Sequence, residues 1–146
     1  MSELPAYAAL FGSAFLSATL LPGSSEAMLI VLLAAGEGDP ALLIAVATAG
    51  NVLGSAVNWV IGRFFAQFSG RRWFPVSRQA YVRAAAWYGR YGVWSLLFAW
   101  LPVIGDPLTL VAGAMRTDLR WFLILVTIGK AARYLLIGAG FLWWTT

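Results

Sequence analysis

Two stretches of this chain, residues 41–61 and 119–144, are long and apolar enough to cross a bilayer. At ~1.5 Å per residue, about 20 helical residues span a hydrocarbon core of ~30 Å. The rest of the chain offers no soluble shell for them. Of the 146 residues, 61% are hydrophobic and 11% charged, whereas a soluble domain is about half apolar and about a quarter charged. A chain this short has too little interior to hide that much apolar surface from water. The fold class is therefore an all-α integral membrane protein. Residues 1–7 lack the positive n-region of a signal peptide, so the first apolar segment is expected to belong to the mature protein.

The two remaining apolar stretches are interrupted. Residues 7–35 are cut by Leu21-Pro22-Gly23-Ser24-Ser25-Glu26, and residues 92–115 by Leu101-Pro102-Val103-Ile104-Gly105-Asp106-Pro107. The flanking arms are mostly too short to cross. Proline removes a donor and breaks a helix, and glycine permits a sharp reversal. Each stretch is expected to form a re-entrant hairpin turning at Pro22 and Gly23, or at Pro102 and Gly105. Such backbone is tolerated at membrane depth only where protein or a wet cavity surrounds it.

The pattern repeats. Pro22 and Pro102 are 80 residues apart, as are Glu26 and Asp106, and Gly50-Asn51 and Gly129-Lys130 are 79 apart. Each unit is a broken hairpin followed by one spanning helix, with repeat one over about 7–65, an interfacial linker over about 66–91 and repeat two over about 92–144. A hairpin does not change sides and a spanning helix does, so the two units must be inverted relative to each other. The alternative is four plain spans, two of them kinked at proline. With hairpins, Arg63, Arg71, Arg72, Arg78, Arg83, Arg90, Arg116 and Arg120 share one face, and Glu3, Glu37 and Asp39 the other. With four plain spans, Arg116 and Arg120 change sides. The positive-inside rule favours hairpins, cytoplasmic arginines and both termini outside.

The linker mixes arginine with Trp73, Phe74, Tyr81, Trp87 and Tyr88. Ser77 is a suitable N-cap for an amphipathic helix ending near Gly89. Arginine with aromatics suits the headgroup zone, so the expected partners are membrane lipids, including anionic headgroups. The net charge of +4 lies between bilayer-length apolar runs, which speaks against nucleic acid. A homo-oligomer is compatible with the sequence.

The acids and cations inside apolar segments are the first candidates for function. A mid-membrane charge costs ~2.5–3.5 kcal/mol on insertion scales, so Glu26 and Asp106 need an offset. Lys130 and Arg133 lie within the last span, three residues apart on one helix face. Pairing of Glu26 or Asp106 with Arg133 or Lys130 is the expected arrangement, along a substrate or proton pathway; its structural alternative is mutual neutralisation. Asn51 and Asn58 lie two turns apart on the first span, with Gly50 and Gly54, and suit either interhelical amide bonds or a cavity wall. The chain has no cysteine and no histidine. No nucleophile constellation for acyl transfer exists, and no enzyme, metal or cofactor is expected.

At this point a family resemblance emerges. The run Gly50-Asn51-Val52-Leu53-Gly54-Ser55-Ala56-Val57-Asn58-Trp59-Val60-Ile61-Gly62-Arg63 resembles the glycine-rich helix of the DedA superfamily, also called SNARE-associated or VTT-domain proteins. That helix usually reads Gly-x-x-Leu-Gly-Asp, an aromatic, then Ile-Gly-Arg. The Pro-Gly-x-x-Glu turn at Glu26 and the stretch from Tyr88-Gly89-Arg90-Tyr91-Gly92 through Leu101-Pro102 to Ala112-Gly113 resemble its two hairpins. The Trp-Leu-Pro-Val-Ile-Gly-Asp turn and the Gly-Lys-Ala-Ala-Arg-Tyr segment are most similar to the YqaA-like branch. The resemblance implies facing re-entrant hairpins and lipid handling. Family members scramble or transport phospholipids or polyprenyl phosphate carriers, some coupled to the proton gradient. It carries Glu26, Gly54, Gly62 and Arg63 over to the family pattern. The motif aspartate is Ser55 here. The arginines that flank the second-hairpin proline in better-known members are Ala99 and Gly105. An anionic headgroup would then be met by Lys130 or Arg133.

Overall fold

The computed structural model describes residues 4–19, 24–36, 38–65, 67, 76–100 and 105–145. They form α1 (Leu4–Thr19), α2 (Ser24–Ala35), α3 (Pro40–Phe65), α4 (Arg78–Tyr91), a 3₁₀ segment (Gly92–Trp100), α5 (Gly105–Ala114) and α6 (Leu119–Thr145). No strand occurs among the described residues. The sequence-predicted turn residues Pro22, Gly23 and Pro102, with Arg71, Arg72, Trp73 and Phe74 of the linker, lie outside the described residues.

The two helices of bilayer length are α3, with 26 residues, and α6, with 27. α3 runs several residues beyond the apolar limits visible in the sequence, and α6 matches its limits to within one residue. An aspartate starts each. The Asp39 carbonyl accepts from Leu43 N at 2.9 Å, and Pro40, which has no N–H to satisfy, takes the first helical position. Asp118 caps α6 by accepting from Arg120 N at 2.8 Å. Asp39 and Asp118 are 79 residues apart and extend the internal repeat. The shorter helices have 16 residues in α1, 12 in α2 and 10 in α5. At ~1.5 Å per residue none reaches ~30 Å.

The linker helix α4 begins where the sequence places it. Ser77 Oγ accepts from Ala80 N at 3.1 Å, and the helix continues past Gly89 to Tyr91. Gly92, at φ 64°, then turns the chain into the 3₁₀ segment, where Ser95 Oγ donates to Gly92 O at 2.7 Å. Such side-chain bonding draws backbone away from α geometry. At ~2 Å rise per residue, nine 3₁₀ residues cover about as much length as twelve α-helical ones. The first arm of the second stretch is thus thinner and more extended than its counterpart α1.

Contacts fix the direction of each piece. Tyr7 Oη accepts from Asp39 N at 3.0 Å, so the start of α1 lies beside the start of α3. Tyr88 Oη shares a hydrogen with Thr117 Oγ1, so the chain entering the 3₁₀ segment lies beside the start of α6. In both halves, a tyrosine ties the two ends of the interrupted stretch together. Trp59 Nε1 donates to Thr117 O at 3.1 Å, and Gly138 of α6 abuts Ile44 of α3. The two long helices are therefore antiparallel.

Glycine sets the spacing of the bundle. A Cβ on Gly62 would strike the Leu110 carbonyl, and one on Gly113 would strike the Trp59 carbonyl. The α3 and α5 backbones thus touch at two reciprocal points. Gly50 faces the Phe11 carbonyl of α1, and Gly129 faces the Leu97 carbonyl of the 3₁₀ segment. These two glycines are the 79-residue pair of the repeat, and each lets a long helix seat against the first arm of its own unit.

The exterior is apolar, while polar groups join the apolar core. Ser25, Asn51, Ser55, Asn58, Thr109 and Lys130 are buried, while Leu53, Val60, Ile124, Ile128, Leu135 and Leu136 are exposed. An apolar exterior on helices of this length suits hydrocarbon, where helices pack through small residues and interhelical hydrogen bonds. The chain is a multi-helix membrane protein.

Gly113→Ala is expected to destabilise the protein by about 1–3 kcal/mol or more, because two backbones must part. Gly140→Ala meets nothing within 4 Å and should be neutral or stabilising by up to ~1 kcal/mol. Thermal unfolding of both variants in detergent micelles checks this contrast.

Candidate functional site

The charges within the apolar segments form two pairs. Lys130 Nζ donates to Asp106 Oδ1 at 2.9 Å. Arg133 Nη2 stands 2.5 Å from Glu26 Oε1. Both cations come from α6, where their spacing turns them to the same interior face. The acids come from different halves of the chain. Glu26 lies in the first turn of α2 and Asp106 in the first turn of α5. A helix N-terminus carries partial positive charge, so each carboxylate is favoured by its own helix as well as by its partner.

The pairs differ in character. The Lys130 side chain is 1% exposed and makes an aligned hydrogen bond to Asp106. The Arg133 and Glu26 side chains are 20% and 15% exposed, and neither Glu26 oxygen receives an aligned hydrogen bond among the described residues. Asp106, at 22%, is the more exposed partner of the first pair; the second pair is a close contact of charges whose carboxylate oxygens are buried. It also bridges the two halves of the chain, α2 to α6, whereas Lys130 and Asp106 both belong to the second half.

Beside them, Ser25 Oγ and Tyr134 Oη lie 2.6 Å apart. Tyr134 is fully buried; it follows Arg133 directly and lies one turn after Lys130 on α6, and Ser25 precedes Glu26. The two pairs are therefore parts of one polar centre around α6. Sequence reasoning missed Ser25 and Tyr134. Their signal was positional: Ser25 adjoins Glu26, and Tyr134 sits one turn after Lys130 and next to Arg133.

Other predicted residues have different surroundings. Asn51 Nδ2 donates to Ala14 O at 2.9 Å, tying α3 to α1. Asn58 Nδ2 donates to Thr109 Oγ1 at 3.2 Å, tying α3 to α5. Both asparagines thus make the interhelical amide bonds that were one of their two readings. Asn51 Oδ1 and Ser55 Oγ have no hydrogen-bond partner among the described residues. Arg63 lies roughly three turns beyond Asn51, near the end of α3, over the Phe64 ring at 5.2 Å. It is not brought to the ion pairs, and its place in the last turn suits the helix dipole. Gly105 abuts the Ala99 carbonyl, where a Cβ would clash. Residue 105 therefore has no room for a side chain, let alone an arginine. Among the described residues, no group of three carboxylates gathers as a metal site would require.

Removing one partner of a buried pair leaves an uncompensated charge, which costs more than losing the pair itself. Arg133→Gln and Glu26→Gln should each lower thermal stability, and the double variant should be more stable than the sum of the single losses predicts. A coupling on the order of 1–3 kcal/mol is expected from the double-mutant cycle measured in micelles.

Comparison with known proteins places this arrangement in a family. The VTT domain model matches residues 21–141, which includes both acids, both cations and all of α3. The inner membrane protein YqaA of Escherichia coli strain K12 is 42% identical over 148 aligned residues, 99% of this chain and 99% of that protein. The protein of the same name from Shigella flexneri matches to the same extent. An uncharacterized protein of Haemophilus influenzae is 38% identical over 132 residues, 86% of this chain and 80% of its own length. No solved structure matches the chain. This chain is a member of the VTT-domain (DedA) family of inner-membrane proteins, within its YqaA-like branch.

Proposed function

We propose that this protein moves lipid, a phospholipid or a polyprenyl phosphate carrier, across the inner membrane through the paired charges around α6. The single observation that carries the proposal is the Glu26–Arg133 contact. It joins the two halves of the chain, and the buried Glu26 carboxylate meets Arg133 through one oxygen, with no aligned bond to either oxygen among the described residues. An anionic headgroup has the same chemistry as the Glu26 carboxylate and could replace it at Arg133. Coupling of headgroup entry to the proton gradient belongs to the same proposal.

The architecture belonging to this proposal is an inverted repeat of two re-entrant hairpins, in one membrane domain with repeat one over about 7–65 and repeat two over about 92–144. Support comes from the tyrosine ties at Asp39 and Thr117, since each brings together the ends of one interrupted stretch. The α4 helix lies at the interface, and Arg63, Arg78, Arg83, Arg90, Arg116 and Arg120 face the cytoplasm by the positive-inside rule.

A second reading has its own observation. Lys130 is almost fully sealed, as a purely structural pair would be. On that reading the protein is a non-transporting homeostasis or assembly factor. The same charges in a small-ion or solute exchanger form a third.

Purified protein in liposomes should move labelled lipid between leaflets, with Glu26→Gln and Arg133→Ala slowing it at least ~10-fold, a loss of about 1.4 kcal/mol in barrier terms. Unchanged movement in both variants would defeat the mechanism. Absence of lipid flux in the wild type, with proton or solute flux present, would favour the exchanger; no flux of any kind would favour the assembly factor. Topology has its own test. Single cysteines replacing Ser2 and Glu37 in this cysteine-free chain should label from the same side of the membrane. Gly38 is avoided because its φ is +80° and a Cβ there would meet the Tyr7 ring.

A further inference from the structure

Buried hydroxyl groups in this bundle have partners, with one exception. Thr48, Ser95 and Thr109 each donate to a main-chain carbonyl three or four residues earlier, at 2.8, 2.7 and 2.5 Å. Ser25 bonds Tyr134, and Thr117 bonds Tyr88. Ser55 is fully buried, and its Oγ has no hydrogen-bond partner among the described residues. A helical serine has the carbonyl one turn back within reach. For Ser55 that carbonyl belongs to Asn51, and the bond is not made.

Asn51 has the complementary deficit. It lies one turn before Ser55, so the two share a face of α3. Its Nδ2 donates to Ala14 O at 2.9 Å. That bond fixes the orientation of the amide, because the flipped amide would set two carbonyl oxygens against each other. Asn51 Oδ1 is left buried with no partner among the described residues. One acceptor and one hydroxyl, both unmade, thus stand a turn apart. Burying such groups unmade costs more than making their bonds gains, and hydrocarbon around the bundle supplies no solvent to them.

The repeat shows that α3 leaves space at these positions. At the 79-residue offset, Asn51 and Ser55 correspond to Lys130 and Tyr134. On α6 those positions carry long side chains that reach the first turns of α5 and α2, Lys130 to Asp106 at 2.9 Å and Tyr134 to Ser25 at 2.6 Å. Asparagine and serine stop several atoms short of such reach. What an ammonium and a phenol fill beside α6, the side chains of α3 do not fill.

We propose that a single water molecule is bound between Asn51 and Ser55 as a structural part of α3, donating to Asn51 Oδ1 and accepting from Ser55 Oγ. Its second hydrogen goes to the Asn51 main-chain carbonyl, whose second lone pair Ser55 leaves free. That gives the water about three bonds, the usual number for a buried one. A cation fits less well, because both side chains are neutral and a charge at this depth needs an opposite one. The first half of the chain thus uses hydration where the second half uses Lys130 and Tyr134. The site is separate from the Glu26–Arg133 contact and stands whether or not the protein moves lipid.

The test is water-edited solid-state NMR on the full-length, carbon-13-labelled protein in lipid bilayers. Magnetisation that starts on water should reach the Asn51 side-chain carbonyl carbon early in the mixing time. It should reach the methyl of Ala47, a fully buried residue one turn earlier on α3, late. Ser55→Ala removes the donor that holds the water and should abolish the early transfer, leaving Asn51 as slow as Ala47. Transfer to Asn51 as slow as to Ala47 in the wild type would overturn the proposal. So would early transfer that persists in Ser55→Ala, since that marks penetrating solvent rather than a bound water.

Discussion

Four charges enclosed by side chains that face hydrocarbon are the constraint to which the rest of this chain answers. Each would cost ~2.5–3.5 kcal/mol alone at mid-membrane. Together they come to two neutral pairs, Lys130 with Asp106 and Arg133 with Glu26. The partners must therefore be brought within a few ångströms across large sequence distances. That requirement explains why α2 and α5 begin inside the bundle rather than at its edge. A helix that starts there offers its positive end to the acid in its first turn.

The bundle meets this demand with backbone contact beside packed clusters of leucines with Phe122 and Tyr134. Gly62 and Gly113 let α3 and α5 touch, and Gly50 and Gly129 seat each long helix on the first arm of its own half. In hydrocarbon, close approach is favoured because lipid tails match apolar side chains and dispersion at the contact must supply the association. Asn51 and Asn58 then fasten α3 to α1 and α5. Each amide bond falls on the same interface as a glycine contact, Asn51 with Gly50 toward α1 and Asn58 with Gly62 toward α5.

The two halves are alike in plan and unlike in charge. At the 79-residue offset, Lys130, Arg133 and Tyr134 of α6 correspond to Asn51, Gly54 and Ser55 of α3. Every cation of the polar centre therefore comes from one long helix, and the other is left with amides, a glycine and a serine. Equivalent positions of the two long helices thus carry different polar groups. Glu26 with Arg133 is the pair that crosses between halves, while Lys130 and Asp106 stay within the second.

Much of this was legible in the linear chain. Apolar length identified α3 and α6, Ser77 marked the start of α4, and the 79- and 80-residue spacings marked the repeat. Those features depend on local composition and on positions along the chain, and the cost of an unpaired charge in hydrocarbon made acid–cation pairing the expected outcome. The tertiary structure decided which acid meets which cation, because either cation on that face of α6 could reach a carboxylate and only packing of α2 and α5 separates the choices. It also decided that Arg63 stands apart, that Ser25 and Tyr134 join the centre, that residue 105 has no space for a side chain, and that the first arm of the second stretch is 3₁₀. None of these could be read from periodicity. Each depends on how closely two backbones approach, and that distance is fixed by contacts between residues far apart in the chain.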